Sequence, residues 1–267
     1  MTVYIPTLSR YEILKRTIPA WLGQEQRLIL VTDPDQYLDH VALRDEMGWT
    51  TLVRVVSMPK AARGQGIGYK RHFIVEHADN SGLDAIIIAD DDHKPAPGTD
   101  TSLLLKEADD DDVLGIGAAI PIYDRFTGGR VSQFDEPILC PGGWGFAVYG
   151  LNINNALRVG SYDPLLTVGE DAELWREGVA RGIPWRVHCG VRVAAVGKRN
   201  SPGGMTARWL SDKARARAER ESRALIHERW PEYTSAPDRP FRMAWAKMLD
   251  DYIPDWRSRS ALHGGSL

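Results

Sequence analysis

Three consecutive aspartates, Asp90, Asp91 and Asp92, follow the apolar run Ala85 to Ala89 and precede His93. A short β-branched run bounded by polar residues reads as a central strand of a parallel sheet, and ligands of such sheets sit at the carboxyl ends of the strands. Side chains alternate along a strand or tight turn, so Asp90 and Asp92 point the same way. Together they offer two hard oxygen donors to one divalent cation, which in turn could bridge to a diphosphate. The competing reading is an acidic surface turn.

Two further clusters carry chemistry. In RGQGIGYKR, the glycines Gly64, Gly66 and Gly68 lead into a helix that opens with Lys70 and Arg71. Backbone N–H groups and cationic side chains at a helix start favour a phosphate, whereas the plain alternative is a solvated helix face. The turn is no dinucleotide fingerprint, because it follows Lys60 and Arg63 rather than the first strand and has the wrong spacing. Glu170 and Asp171 open the helical segment EDAELWREGVARG, where acidic residues are also expected from the helix dipole alone. In PGGWG, Gly143 and its neighbours let a ligand approach Trp144 closely enough to stack, and a core tryptophan is the competing reading. Asp109 to Asp112 follow no strand and read as a solvated loop.

The elements that must position these residues alternate. Val3 to Pro6 is a first strand; Ser9 and Glu12 form a capping-box pattern opening a helix through Leu22, bent or shortened by Pro19. Leu28 to Thr32 is a second strand, followed by a helix with Tyr37, Leu38, Val41 and Ala42 inward and Gly48 as its stop. Thr51 to Ser57 is a third strand, the glycine turn starts a helix through Ala78, and Ala85 to Ala89 is the fourth strand. This order implies a parallel sheet covered on both faces. Beyond it lie a helix near Thr99 to Ala108, strands at Val113 to Ala119 and Gly145 to Tyr149, and a helix from Glu170 to Gly182 with Leu174, Trp175 and Val179 inward. The segment near Pro231 to Arg242 reads as a connector before a short helix at Met243 to Tyr252, and Ser260 to Leu267 reads as a disordered tail.

At 267 residues and 43% hydrophobic content the chain can bury a full core. No basic segment followed by a long apolar one opens it and no apolar run is long enough to span a membrane, so a cytoplasmic location is expected. Cys140 and Cys189 are too few for a disulfide framework and lack metal-ligand spacing. A net charge of −3 gives no global argument for nucleic acid. Locally, Lys198 to Arg223 carries eight Lys or Arg against three acids, either a patch for DNA phosphates or an ordinary charged helix.

The IPT opening, the carboxylate Asp33 after strand two, the glycine turn before Lys70 and Arg71, the Asp triplet and the later Gly169-Glu170-Asp171 occur in an order that resembles GT-A glycosyltransferases. More narrowly, the chain resembles the phage glycosyltransferases associated with TET-type oxygenases. The resemblance implies an α/β, Rossmann-like three-layer fold with a mostly parallel central sheet. A glycosyltransferase domain over 1–200 (donor half 1–95, acceptor half 96–200) would be followed by a helical extension over 201–260 and a tail over 261–267. It implies a nucleoside-diphosphate sugar donor, a UDP-sugar, a divalent cofactor, Mn²⁺ or Mg²⁺, and a DNA acceptor carrying 5-hydroxymethylcytosine. On the family's pattern Asp92 is a metal ligand, with Asp90 and Asp91 open between metal and ribose. Pro6, Thr7, Arg10, Asp33, Lys70 and Arg71 belong to the donor side, and His188 is a further metal or phosphate contact. His93 is read as supporting or exposed. Asp171 is the base of an inverting transfer, with Glu170 assisting; Gly143 and Trp144 face the acceptor.

Rival readings are transfer to a polysaccharide or protein, and a binding module without catalysis. A nucleotidyltransferase is disfavoured because PTLSRYE stands where its glycine-rich signature would follow the first strand.

Overall fold

The computed structural model describes residues 1–24, 26–119, 138–139, 147–196, 212–236 and 244–256. Its first half runs β1 (Thr2–Pro6), α1 (Tyr11–Leu22), β2 (Arg27–Thr32), α2 (Tyr37–Glu46), β3 (Val53–Ser57), α3 (Ile67–Asn80) and β4 (Ala85–Ala89). Then follow β5 (His93–Pro95), α4 (Ser102–Ala108), β6 (Gly115–Ala119), β7 (Ile138–Leu139), β8 (Val148–Asn152), α5 (Ile153–Arg158), α6 (Glu170–Ala180), β9 (Trp185–Ala195), α7 (Asp212–Arg229) and α8 (Trp245–Tyr252).

The strands line up as β3-β2-β1-β4-β8-β6-β9-β5, with β7 against β9. Strict period-two alternation explains why β1 and β4 are apolar throughout: each face of the sheet is a core. Tyr4, Ile86 and Ile88 pack on one face with Ile74 and Val75 of α3 and with Leu174, Trp175 and Val179 of α6. Val3, Ile5, Ile87 and Ala89 pack on the other with Leu14, Ile18 and Trp21 of α1 and Leu104 of α4. The three-layer α/β architecture expected from the sequence is present.

The sheet is mixed rather than mostly parallel. β1 to β4 pair in parallel, as expected, but β8 runs antiparallel to both β4 and β6, and β5 and β7 run antiparallel to β9. β8 is displaced beyond the expected strand, to Val148–Asn152, and inserts beside β4 through backbone pairing that periodicity does not reveal.

Other expectations need correction. The Ser9–Glu12 capping box does not form: Arg10 is the N-cap and no side chain caps the helix. Ser9 instead adopts φ 53° and its N–H donates to Gln36 Oε1 at 3.1 Å, a longer-range bond that wins over the local one. Pro19 lies inside α1, which still reaches Leu22. In α2 the buried positions are His40 and Leu43, while Tyr37, Leu38 and Ala42 are exposed. A 3-10 turn at Pro34–Gln36 sets the entry of this helix, and His40 turns inward because its Nδ1 meets the Gln36 carbonyl at 2.8 Å. Gly48 does stop the chain's helical path, at φ +69°. Asp109 to Asp112 are exposed, as expected of a solvated loop. α7 packs through Ala218, Ser222 and Ile226, and Arg229 at its end meets Glu173 of α6 at 3.3 Å. No described helix is long and apolar enough to cross a membrane. Cys189 is buried as a free thiol, whereas Cys140 and the tail lie outside the described residues.

Candidate active site

The aspartates leave the sheet in a pinned turn. Asp90 N–H donates to the Ala147 carbonyl at 2.7 Å, His93 N–H donates to the Asp90 carbonyl at 3.0 Å, and Val196 N–H donates to the Asp92 carbonyl at 2.6 Å. These bonds fold Asp90 to His93 tightly enough that one ligand atom from each of Asp90, Asp92 and His93 falls within 4.8 Å of the others. Two carboxylates and an imidazole are a donor set that Mn²⁺ accepts readily and Mg²⁺ accepts through its oxygens. The residues fit the cation. Asp90 and Asp92 are the pair the sequence pointed to; His93 is the third member of the group, which it missed, although its place directly after Asp92 was the available signal. His188 does not join this group: it sits within β9, opposite Ala118 of β6, rather than after a strand, and its Nδ1 accepts from the Gly190 N–H at 3.1 Å.

Asp91 turns inward. Its carboxylate accepts from Thr7 Oγ1 at 3.0 Å and Arg10 Nη1 at 2.7 Å, and its carbonyl accepts from Thr17 Oγ1 at 3.1 Å. Arg10 Nη1 also reaches Asp92 Oδ2 at 2.7 Å, so one guanidinium at the start of α1 joins two of the three aspartates.

Lys70 and Arg71 do not form a solvated helix face: they are 1% and 4% exposed. Lys70 Nζ lies 2.8 Å from Asp33 Oδ1 and donates to the Thr7 carbonyl at 2.8 Å, tying the ends of β1 and β2 to α3. Arg71 donates to Glu170 Oε1 at 2.5 Å and to Asp90 Oδ1 at 3.0 Å, and lies 3.9 Å from Asp171. The approach of α3 to the loop before α6 depends on Gly68, where a Cβ would stand 2.4 Å from the carbonyl oxygens of both Asp163 and Leu166.

Burial sets the electrostatics. It raises Asp91 to about 6 against the opposing charge of Arg10, and raises Glu170 to about 7 against that of Arg71, with the nearby Asp171 adding to the rise. Asp90 is raised by burial as well. Burial works the same way on Asp92, but the His93 hydrogen bond and the charges of His93 and Arg10 outweigh it, so its carboxyl is held below the ordinary range. Asp171 is more open to solvent than the buried Glu170; its Oδ1 accepts from the Ala172 N–H at 2.8 Å.

These groups surround a cavity of about 280 Å³ lined by Pro6, Thr7, Arg10, Lys70, Arg71, Asp90, Asp91 and Asp92, with Leu8 and Ile67 as apolar walls not foreseen. Asp33 lies instead on a neighbouring cavity of about 390 Å³ with Asp35, Gln36 and Arg63, and Leu8 lines both. Gly143 and Trp144 fall outside the described residues, as do Lys198, Arg199 and Arg208 of the basic segment. In α7, Arg215 pairs with Glu219 at 2.9 Å and Arg217 with Glu221 at 2.7 Å, the pattern of an ordinary charged helix.

Residues 1–103, which hold the aspartate turn, Arg10, Lys70 and Arg71, match the family model of the TET-Associated Glycosyltransferase. This part of the chain is thus similar to a glycosyltransferase family, in line with the sequence resemblance. Among solved structures, the chain is similar to the mannosyltransferase PcManGT from Pyrobaculum calidifontis in complex with GDP-Man and Mn²⁺. The TM-score is 0.59 and the identity 15%, over 99% of this chain and 70% of that one, a likeness of fold. No curated protein sequence matches the chain.

Proposed function

We propose that the protein is a metal-dependent glycosyltransferase that moves a sugar from a nucleoside-diphosphate sugar, a UDP-sugar, to the hydroxymethyl group of 5-hydroxymethylcytosine in DNA, with inversion. The observation that carries this reading is the gathering of Asp90, Asp92 and His93 within 4.8 Å at a cavity lined by Lys70 and Arg71. Asp90, Asp92 and His93 would hold the cation, which when bound offsets the negative charge growing on a departing diphosphate. The proteins it is similar to, a glycosyltransferase family and a mannosyltransferase in complex with GDP-Man and Mn²⁺, support that assignment.

The chain's own residues supply the rest. Arg10 and Arg71 limit repulsion among the carboxylates, and Asp33, held by Lys70, is placed to accept from the imide of a base. Asp171 takes the proton of the acceptor hydroxyl as its oxygen attacks the anomeric carbon, and the bond to the diphosphate breaks on the opposite face. Glu170, hydrogen-bonded to Arg71, orients the start of α6 and assists Asp171. The DNA base must be single-stranded or flipped for its hydroxymethyl group to reach such a site.

A second reading, transfer to a polysaccharide or protein, is favoured by one observation: Arg215 and Arg217 are already paired with Glu219 and Glu221 and so offer less to DNA phosphates. Incubation of the protein with Mn²⁺, a panel of nucleotide sugars and hydroxymethylcytosine DNA, followed by nucleoside mass spectrometry, separates the two. A hexose- or N-acetylhexosamine-sized gain on the nucleoside supports the DNA acceptor. Metal-dependent donor hydrolysis without that gain moves the acceptor elsewhere.

A further inference from the structure

A second concave site lies at the amino-terminal ends of β1 to β3, the end of the strands opposite the aspartates. Its volume is about 370 Å³, larger than that of the candidate active site. The parallel register explains how it is built: Thr2 stands beside Arg27, Tyr4 beside Ile29, and Ile29 beside Arg54, so these side chains share one face of the sheet. α3 ends over that face, with His77 and Ser81 at the rim.

The charge is one-sided. Among the described residues Arg27, Arg44 and Arg54 line the cavity and no Asp or Glu does, in a chain whose net charge is −3. Arg44 is paired with Asp45 at 2.6 Å, outside the lining. Arg27 and Arg54 are exposed and make no ion pair with any described residue. The carboxyl end of α3 contributes only about half an elementary negative charge, less than two guanidiniums. Tyr4 Oη lies 2.8 Å from His77 Nδ1, and burial together with Arg54 lowers the pKa of His77, so the imidazole there is a neutral flat partner. Apolar side chains of Ile29, Leu52 and Leu83 complete the wall.

We infer that this cavity is a binding site for a phosphate-bearing ligand with an attached ring, a nucleotide either free or within a polynucleotide, gripped by Arg27 and Arg54 and resting on His77 and Leu52. Arginine forks match phosphate oxygens, and a ring has aromatic and aliphatic surface to lie against. The inference is independent of the glycosyl-transfer reading, because none of its residues lines the candidate active site.

The test uses the full chain in EDTA, where the acidic site has no cation to recruit phosphate. Pyrophosphate is titrated by calorimetry and a fluorescein-labelled thymidine 20-mer by anisotropy, with wild type, Arg27→Ser/Arg54→Ser, Asp92→Asn and the remote surface control Arg181→Ser. The expected result is binding by wild type of at least one probe, weakened tenfold or more in the double variant and changed less than twofold in the other two. A polynucleotide source appears as oligonucleotide binding whose salt slope falls in the double variant by about 0.7 for each phosphate no longer neutralised. A free-phosphate source appears as pyrophosphate binding at least as tight as that of the oligonucleotide. The inference is overturned if wild type binds neither probe, if Arg181→Ser weakens binding as much as the double variant, or if Asp92→Asn abolishes binding and the double variant does not.

Discussion

Asp90, at the end of β4, and Glu170, the first residue of α6, are joined through the single guanidinium of Arg71, at 3.0 and 2.5 Å. This links a carboxylate of the candidate metal group to the helix that carries Asp171. Removing the cation would leave buried like charges facing one another. Arg71→Met is therefore expected to destabilise the fold by about 3–5 kcal/mol in urea denaturation, with Arg71→Lys intermediate because the fork geometry is lost. A loss below about 1 kcal/mol for Arg71→Met would show that the carboxylates do not depend on it.

Asp171 and Glu170 differ in environment, and their substitutions should separate. Asp171→Asn is expected to leave donor affinity within twofold while lowering transfer by roughly 10²–10⁴, the range of a lost general base. Glu170→Ala removes a hydrogen-bond acceptor of Arg71 and is expected to lower stability as well as transfer. Equal loss of donor binding in both variants would contradict the division of labour between base and helix anchor.

Gly68 sits where α3 meets the loop before α6. Since a Cβ would lie 2.4 Å from two backbone carbonyl oxygens, Gly68→Ala is expected to cost on the order of 1–3 kcal/mol, at the upper end because backbone rather than a flexible side chain must yield. Thermal unfolding measures it. A variant as stable as wild type would mean that the loop is free to move away.

The pH dependence of stability has a definite sign. Burial lifts Asp91 from 3.8 to about 6 and Glu170 from 4.5 to about 7, so the folded chain keeps protons that the unfolded chain has released across that window. The stabilisation from these groups is present at low pH and lost as pH rises through the folded values. His93 works in the same direction: burial would lower its pKa, but the Asp92 hydrogen bond and the three aspartate charges raise it. Metal-free protein is expected to be more stable to urea near pH 5 than near pH 7.5, with a smaller difference in Asp91→Asn. The opposite slope in wild type would contradict the sign.

The strands β1 to β4 were legible in the sequence because their signals are local. Ala85–Ala89 is buried on both faces and so reads as a strand, and the aspartates follow it directly. What stayed hidden depends on contacts between distant residues. The inward face of α2 follows from the Gln36 carbonyl on His40, and the loss of the Ser9 cap follows from Gln36 as well. The antiparallel insertion of β8 beside β4 is a choice of neighbour that an apolar pattern cannot encode. At the site, adjacency hinted at His93, but only the turn closed by the Asp90 carbonyl brings its ring to Asp92. For Lys70 and Arg71 a solvated face was the competing reading, and their burial follows from Asp33 and Glu170, both distant in the chain.

The central claim is that Asp90, Asp92 and His93 hold a divalent cation that recruits a nucleotide sugar. Calorimetric titration of UDP-sugars and GDP-sugars into wild type and Asp92→Ala, each with Mn²⁺ and with EDTA, tests it most directly. The account predicts donor binding by wild type only with Mn²⁺, weakened at least about 100-fold in Asp92→Ala, more than the roughly 10–100-fold cost of losing a group that merely supports a ligand. Binding of equal strength in EDTA, or binding by Asp92→Ala indistinguishable from wild type, would contradict it.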